Sequence, residues 1–148
     1  MVRLLDIKEN GQNYFMDAAR LAWTLLLDRD DDTNISHRHM PLYSDHFRFM
    51  ASDPYRVWMV IENDDGEKVG MTYLTRRNEV GIHILKAHQG KGYAKNALLQ
   101  LLAIHRPLPA EPSVRPGHFV ANINPRNTAS IALFEGIGGK HISNTYRL

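Results

Sequence analysis

The sequence predicts an α/β domain, a mixed and mostly antiparallel sheet flanked by helices in the order β-α-α-β-β-β-α-β-α-β. Three observations predict it. Between residues 55 and 85, three segments rich in β-branched and aromatic residues follow one another across short turns, as in an antiparallel meander. Segments with an apolar residue every three or four positions lie on both sides of that meander in the chain. The third β-segment runs through a glycine-containing loop into a helix, so at least one crossover packs a helix back onto the sheet.

Taken in order, Val2–Ile7 alternates as a short strand and ends in the polar stretch Glu9–Asn13. Phe15, Ala18, Ala22, Leu25 and Leu26 then share one face of a helix over Tyr14–Leu27. Arg29–His39 has no period and reads as an exposed loop. A shorter helix is expected from Ser44, placed as its N-cap, to Ala51, with Phe47 and Met50 inward and Pro54 beyond its end. Tyr55–Glu62 and Val69–Thr75 form a hairpin about Asn63–Gly66, and Arg76-Arg77-Asn78 makes the next turn. In Glu79–Leu85, Val80, Ile82 and Ile84 face one way and Glu79, Gly81 and His83 the other. After the loop Lys86–Lys91, the residues Ala94, Ala97, Leu98, Leu101 and Leu102 mark a helix that ends before Pro107. The four prolines of Arg106–Gly117 make that stretch a connector. A strand over His118–Ile123, a helix over Thr128–Ile137 with Asn127 as its N-cap candidate, and a last strand over Lys140–Tyr146 complete the order.

The chain of 148 residues suits one domain, 1–148, with one core, since a domain of that size buries roughly 70% of its unfolded surface. No apolar run nears the ~20 residues that span a bilayer, and MVRLLDIKENGQ turns polar too early for a signal-peptide core. A cytoplasmic protein without a membrane partner is therefore expected. Zero cysteines exclude a disulfide framework, a thiolate nucleophile and a zinc–thiolate site. A net charge of +2 does not demand a nucleic-acid partner, and the acidic run Asp28–Asp32 favours a cationic small molecule or basic peptide over a phosphate backbone. Among eight histidines, only His37, His39 and His46 cluster, without the i, i+4 spacing of a helical zinc site, so no metal is expected.

The most informative stretch is His83–Leu98, HILKAHQGKGYAKNAL. A Walker loop requires Gly-Lys-Ser/Thr, but Tyr93 follows Gly92; a dinucleotide fingerprint requires a third glycine where Lys95 stands. What the residues do offer is a phosphate nest. Gly90 and Gly92 lack Cβ atoms, so successive N–H groups can converge where a helix N-terminus adds partial positive charge, and Lys91 adds a point charge.

Gln89-Gly90-Lys91-Gly92-Tyr93-Ala94 resembles the Gln/Arg-x-x-Gly-x-Gly/Ala pattern of the GNAT superfamily of N-acetyltransferases. A second block, with Asn127, Ser130, Leu133, Phe134 and Gly138, resembles the family's Asn-x-x-Ser-x-x-Leu-Tyr/Phe-x-x-x-Gly. The resemblance implies acetyl-CoA as co-substrate, held by Gln89, Gly90, Lys91, Gly92, Tyr93 and Ala94, by Asn127 at the pantetheine arm, and by Phe134. It implies a thioester-carbonyl donor among the backbone amides of Ile84 and Leu85, and direct transfer to an amine in a ternary complex without an acyl-enzyme. It further implies a general base early in the strand, with Glu79 the first candidate and His83 the second. Phe134 stands where the family often has a tyrosine that protonates the leaving thiolate, which leaves water, Tyr93 or Tyr146 as the acid. Acceptor choice in the family lies with the two N-terminal helices and their loop, here Arg29–Tyr43. Ile35–Glu62, with His46, Phe47 and Phe49, is loosely similar to bacterial nucleotide-amino-sugar N-acetyltransferases, so a small amine, an amino sugar in particular, is the expected acceptor. A peptide or protein acceptor, a CoA-binding module acting on nucleic acid, and a homodimer stay open at this point.

Overall fold

The computed structural model describes residues 1–30 and 39–148. Residues 31–38, with His37 and most of the segment expected to choose the acceptor, lie outside the described residues. The chain runs β1 (Arg3–Asp6), α1 (Gln12–Asp28), α2 (Tyr43–Ala51), β2 (Val57–Glu62), β3 (Lys68–Leu74), β4 (Val80–Ile84), a 3-10 turn (Lys86–His88), α3 (Tyr93–Ile104) and α4 (Thr128–Gly136). The four strands make an antiparallel sheet in sequence order, with Leu5 opposite Val60, Val60 opposite Met71 and Tyr73 opposite Gly81.

Strand alternation divides the core into two. On one face Trp58, Val60 and Met71 pack with Ala18, Ala19, Leu21, Ala22 and Leu25 of α1 and Met50 of α2. On the other face Ile61, Val69 and Ile84 pack with Ala97 of α3, and Val57, Leu74 and Val80 pack with Leu98 and Leu101. Fully burying a Leu or Ile side chain contributes about 1.5–3 kcal/mol, so Ile61, Leu74, Leu98 and Leu101 are leading contributors to holding helices and sheet together. Helix α4 has no fully buried residue and leans on this second face through half-buried Leu133, Phe134 and Ile137. No helix among the described residues is long and apolar enough to cross a membrane.

Three expectations are corrected. Ser44 is not the N-cap of α2. Leu42 is, its carbonyl taking the His46 N–H at 3.0 Å, and no side chain caps the helix, which starts two residues earlier than the serine requires. His118–Ile123 is not a strand but a segment tied to the sheet by one parallel bridge: Val80 N–H donates to Val120 O at 2.8 Å and Val120 N–H to Asn78 O at 2.9 Å. Lys140–Tyr146 forms no strand and is exposed throughout. A strand needs a neighbouring edge, and a segment held at one bridge offers no ladder to extend.

Buried Asn78, in a left-handed conformation (φ 63°), joins the β3–β4 turn to the proline-rich connector. Its Nδ2 donates to Leu108 O at 2.9 Å and Pro116 O at 2.7 Å, and its Oδ1 accepts from Leu108 N–H at 2.8 Å.

Candidate functional site

The expected alternation of β4 is present and decides which groups meet. Val80, Ile82 and Ile84 pack toward α3, and Glu79, Gly81 and His83 face the α1–α2 side. Gly81 is required there by close approach: a Cβ on it would stand 2.0 Å from the Tyr73 ring, which lies across the strand between Glu79 and His83. Tyr73 stacks on Tyr55 at 4.1 Å, and Trp58 and half-exposed Phe49 meet this pair edge-on, so an aromatic wall borders the same face. Burial, then the neighbouring Tyr73, pushes the Tyr55 phenol well above its usual range.

Both oxygens of Glu79 are engaged. Oε1 accepts from Thr75 Oγ1 at 3.1 Å and Oε2 from Asn122 Nδ2 at 2.6 Å. Neighbouring Arg76 turns away to Asp53. His83 is held differently: Arg29 Nε donates to its Nδ1 at 3.0 Å. Arginine has no acceptor, so Nδ1 carries the lone pair and Nε2 the proton. Burial first, then the Arg29 guanidinium, pushes the imidazole down to about 4. At neutral pH His83 is thus a neutral ring with its lone pair occupied, able to donate from Nε2 but not to take a proton.

The two strand-end amides differ as well. Leu85 N–H donates to Val69 O at 2.9 Å and is used within the sheet. By the same alternation the amides of Ile82 and Ile84 point to the outer edge of β4, where, among the described residues, only Val80 has a backbone partner. Ile84 is therefore the one of the expected pair with an amide to offer.

The loop that follows leaves backbone amides open at the start of α3. The 3-10 turn sets Gln89, whose Nε2 donates to Ile84 O at 3.0 Å and so fastens the loop to the strand end. Gly90 (φ 77°) and Gly92 (φ 80°) are both left-handed, and no heavy atom lies within 4 Å of where either Cβ would stand. Gly92 caps α3 without a side-chain bond, and the first intrahelical bond is Asn96 N–H to Gly92 O. The amides of Tyr93, Ala94 and Lys95 are thereby left at the helix N-terminus, beside exposed Lys91.

Asn127 is the N-cap of α4, its Oδ1 accepting from Ser130 N–H at 3.1 Å, as its position predicts. Gly138 and Gly139 close that helix by donating to Glu135 O and Phe134 O. Phe134 packs into the cluster of Val80, Leu98 and Leu101. Tyr93 is half-buried with its ring 6.5 Å from that of His88, whereas Tyr146 is exposed in the C-terminal coil. Part of the acidic run is already spent: Asp28 accepts from Lys86 N–H and Asp30 pairs with the Lys86 ammonium. Sequence reasoning missed Arg29, Thr75, Asn78 and Asn122; none is a matched position of either motif, and all but Thr75 act on residues 30 or more positions away.

Residues 11–140 match the acetyltransferase (GNAT) domain family. No curated protein matches the chain in sequence. The fold is similar to YncA, an acetyltransferase from Salmonella typhimurium solved with acetyl-CoA, at 20% identity and a TM-score of 0.59 over 93% of this chain and 78% of that one. It is similar to ribosomal-protein-alanine N-acetyltransferase from Brucella melitensis (16% identity, TM-score 0.61, 93% and 83% of the two chains). It is also similar to the spermidine/spermine N-acetyltransferase SpeG from Vibrio cholerae (15%, 0.59, 93% and 77%).

Proposed function

The chain belongs to the GNAT acetyltransferase family, and on that premise we propose that it transfers the acetyl group of acetyl-CoA to the amine of a small molecule, an amino sugar in particular. The observation that carries the reading is the loop at the start of α3: two left-handed glycines with open space at both Cβ positions, beside helix amides that no side chain caps. A pyrophosphate needs such a surface, and these glycines serve no packing purpose in the protein. Gln89, Gly90, Lys91, Gly92, Tyr93 and Ala94 would hold the phosphates, with Asn127 and Phe134 flanking the rest of the donor. Acetyl-CoA supplies an acetyl group activated as a thioester.

The chain's own residues supply the rest. An acceptor amine is mostly an ammonium at neutral pH and must lose a proton before it is a nucleophile. Glu79 is the group for this, because its carboxylate keeps lone pairs free beyond the two hydrogen bonds it accepts, while His83 has none to spare. His83 Nε2–H instead orients the acceptor. The Ile84 amide on the open edge of β4 is the donor for a carbonyl oxygen on which negative charge develops. The wall of Phe49, Tyr55, Trp58 and Tyr73, with phenol hydroxyls and one imidazole N–H, suits a compact polar amine rather than a phosphate backbone.

Calorimetry with CoA and a thiol-release assay over glucosamine-type sugars, polyamines, amino acids and peptides test both halves. The expected result is CoA binding together with fastest turnover on an amino sugar. Absence of CoA binding by folded protein would remove the reading, and preference for a peptide or a polyamine would remove its acceptor half alone.

A further inference from the structure

We propose that Asn122 is a positioning residue whose amide keeps the Glu79 carboxylate aimed; the proposal rests on Glu79 acting as the base. Thr75 Oγ1 accepts the amide protons of Arg77 at 3.2 Å and Glu79 at 3.1 Å, so its own hydrogen is committed to Glu79 Oε1. One carboxylate oxygen is therefore fixed from within the β3–β4 turn. The other is fixed from a different part of the chain, 43 residues away, by Asn122 Nδ2 at 2.6 Å. A carboxylate offers about four lone-pair sites, so two donors lock its rotamer and leave room for an incoming ammonium.

Asn122 lies two residues beyond Val120, the one residue of its segment that pairs with β4 through the backbone. Past that bridge no backbone bond joins β4 to residues 121–124 among the described residues. A side-chain amide takes over where the ladder stops, and it does so on the one carboxylate of this strand. The other charged or titratable groups nearby are differently occupied. Arg76 is on Asp53, Arg115 on Glu111, His83 on Arg29, and Tyr55 stacks on Tyr73. A neutral amide donor thus fixes the carboxylate without setting an opposite charge against it.

Asn122 is exposed, so its replacement should leave the fold intact. The test uses Asn122→Ala, Asn122→Asp, Glu79→Gln and the Glu79→Gln/Asn122→Ala pair, with acetyl-CoA and the fastest acceptor of the panel above. Asn122→Ala should lower kcat about tenfold at unchanged CoA affinity and unchanged acceptor KM, since a misaimed base costs rate rather than binding. Asn122→Asp, which cannot donate to a carboxylate, should lower kcat further. In the Glu79→Gln background Asn122→Ala should cost nothing more, because the group it acts through is gone. If Glu79→Gln loses a hundredfold while Asn122→Ala leaves kcat as in wild type, or costs the same in both backgrounds, the positioning role is wrong and the base stands. Glu79→Gln retaining turnover within a few-fold would remove both.

Discussion

Replacing Asn78 with alanine tests whether one buried amide fastens the connector to the sheet. The side chain makes three hydrogen bonds, at 2.7, 2.8 and 2.9 Å, to Pro116 O, Leu108 N and Leu108 O. Each is worth about 1 kcal/mol net, and more where the abandoned partner stays out of reach of water. The residue also sits at φ 63°, where alanine adds about 1 kcal/mol of strain that asparagine partly avoids. Together these give a loss of about 3–4 kcal/mol, a large share of the 5–15 kcal/mol typical of a domain. Asn78→Gly separates the two causes, since it loses the same bonds but tolerates the backbone, and should be about 1 kcal/mol less destabilised than the alanine variant. Urea unfolding followed by circular dichroism reads both. An Asn78→Ala midpoint corresponding to less than 1 kcal/mol, at unchanged denaturant slope, would refute the reasoning and leave the connector held by its other contacts.

Gly92→Val should cost only about 1–2 kcal/mol of stability, because φ is 80° but no atom obstructs the new side chain. On the proposed reading it should weaken CoA binding at least tenfold by calorimetry; unchanged affinity would count against the loop as the phosphate site. His83 titrates at about 4 when folded and near 6.5 when unfolded. The unfolded chain therefore binds the extra proton between those values, and stability should fall as pH drops from about 6.5 toward 4, by up to about 3 kcal/mol. Removing the imidazole with His83→Asn should flatten that part of a urea-midpoint profile. Tyr93→Phe and Tyr146→Phe should each leave turnover within a few-fold, with water protonating the departing thiolate, since loss of a real general acid costs about 10²–10⁴-fold. A hundredfold drop at unchanged CoA affinity in either variant would identify the acid.

Periodicity made most of the fold legible. The apolar stripe of α1, the hairpin of β2 and β3, and the sides taken by Val80, Ile82, Ile84 and His83 all followed from spacing, because facing is a local property of helix and strand geometry. Asn127 was legible for the same reason, as a cap acts within one turn. Segments 118–123 and 140–146 were misjudged because composition reports what a segment tolerates, whereas a strand exists only where another edge receives it. Arg29 on His83 spans 54 positions and Asn78 on Pro116 spans 38. Contacts of that range depend on how helix, turn and connector come together, which no local pattern encodes. The motif Gln89–Ala94 marked the loop, and geometry then supplied its two left-handed glycines and the engagement of the Leu85 amide within the sheet.

The division of β4 into two sides makes the strand a partition as well as a support. Its even-numbered residues belong to the core beneath α3, and its odd-numbered positions carry Gly81 and His83 toward α1 and α2, with Glu79 just before them. On the proposed reading, substitutions along the aromatic wall of Phe49, Tyr55 and Tyr73 should therefore be free to drift toward new amines without disturbing the loop at the start of α3. The same arrangement is intolerant of a change in length. A single residue inserted between Glu79 and Ile84 would turn the isoleucines outward and the histidine inward, exchanging the two surfaces in one step. Diversification of acceptor choice in this scaffold is thus expected to proceed by replacing side chains in β4, and by insertion only in the loops at its ends.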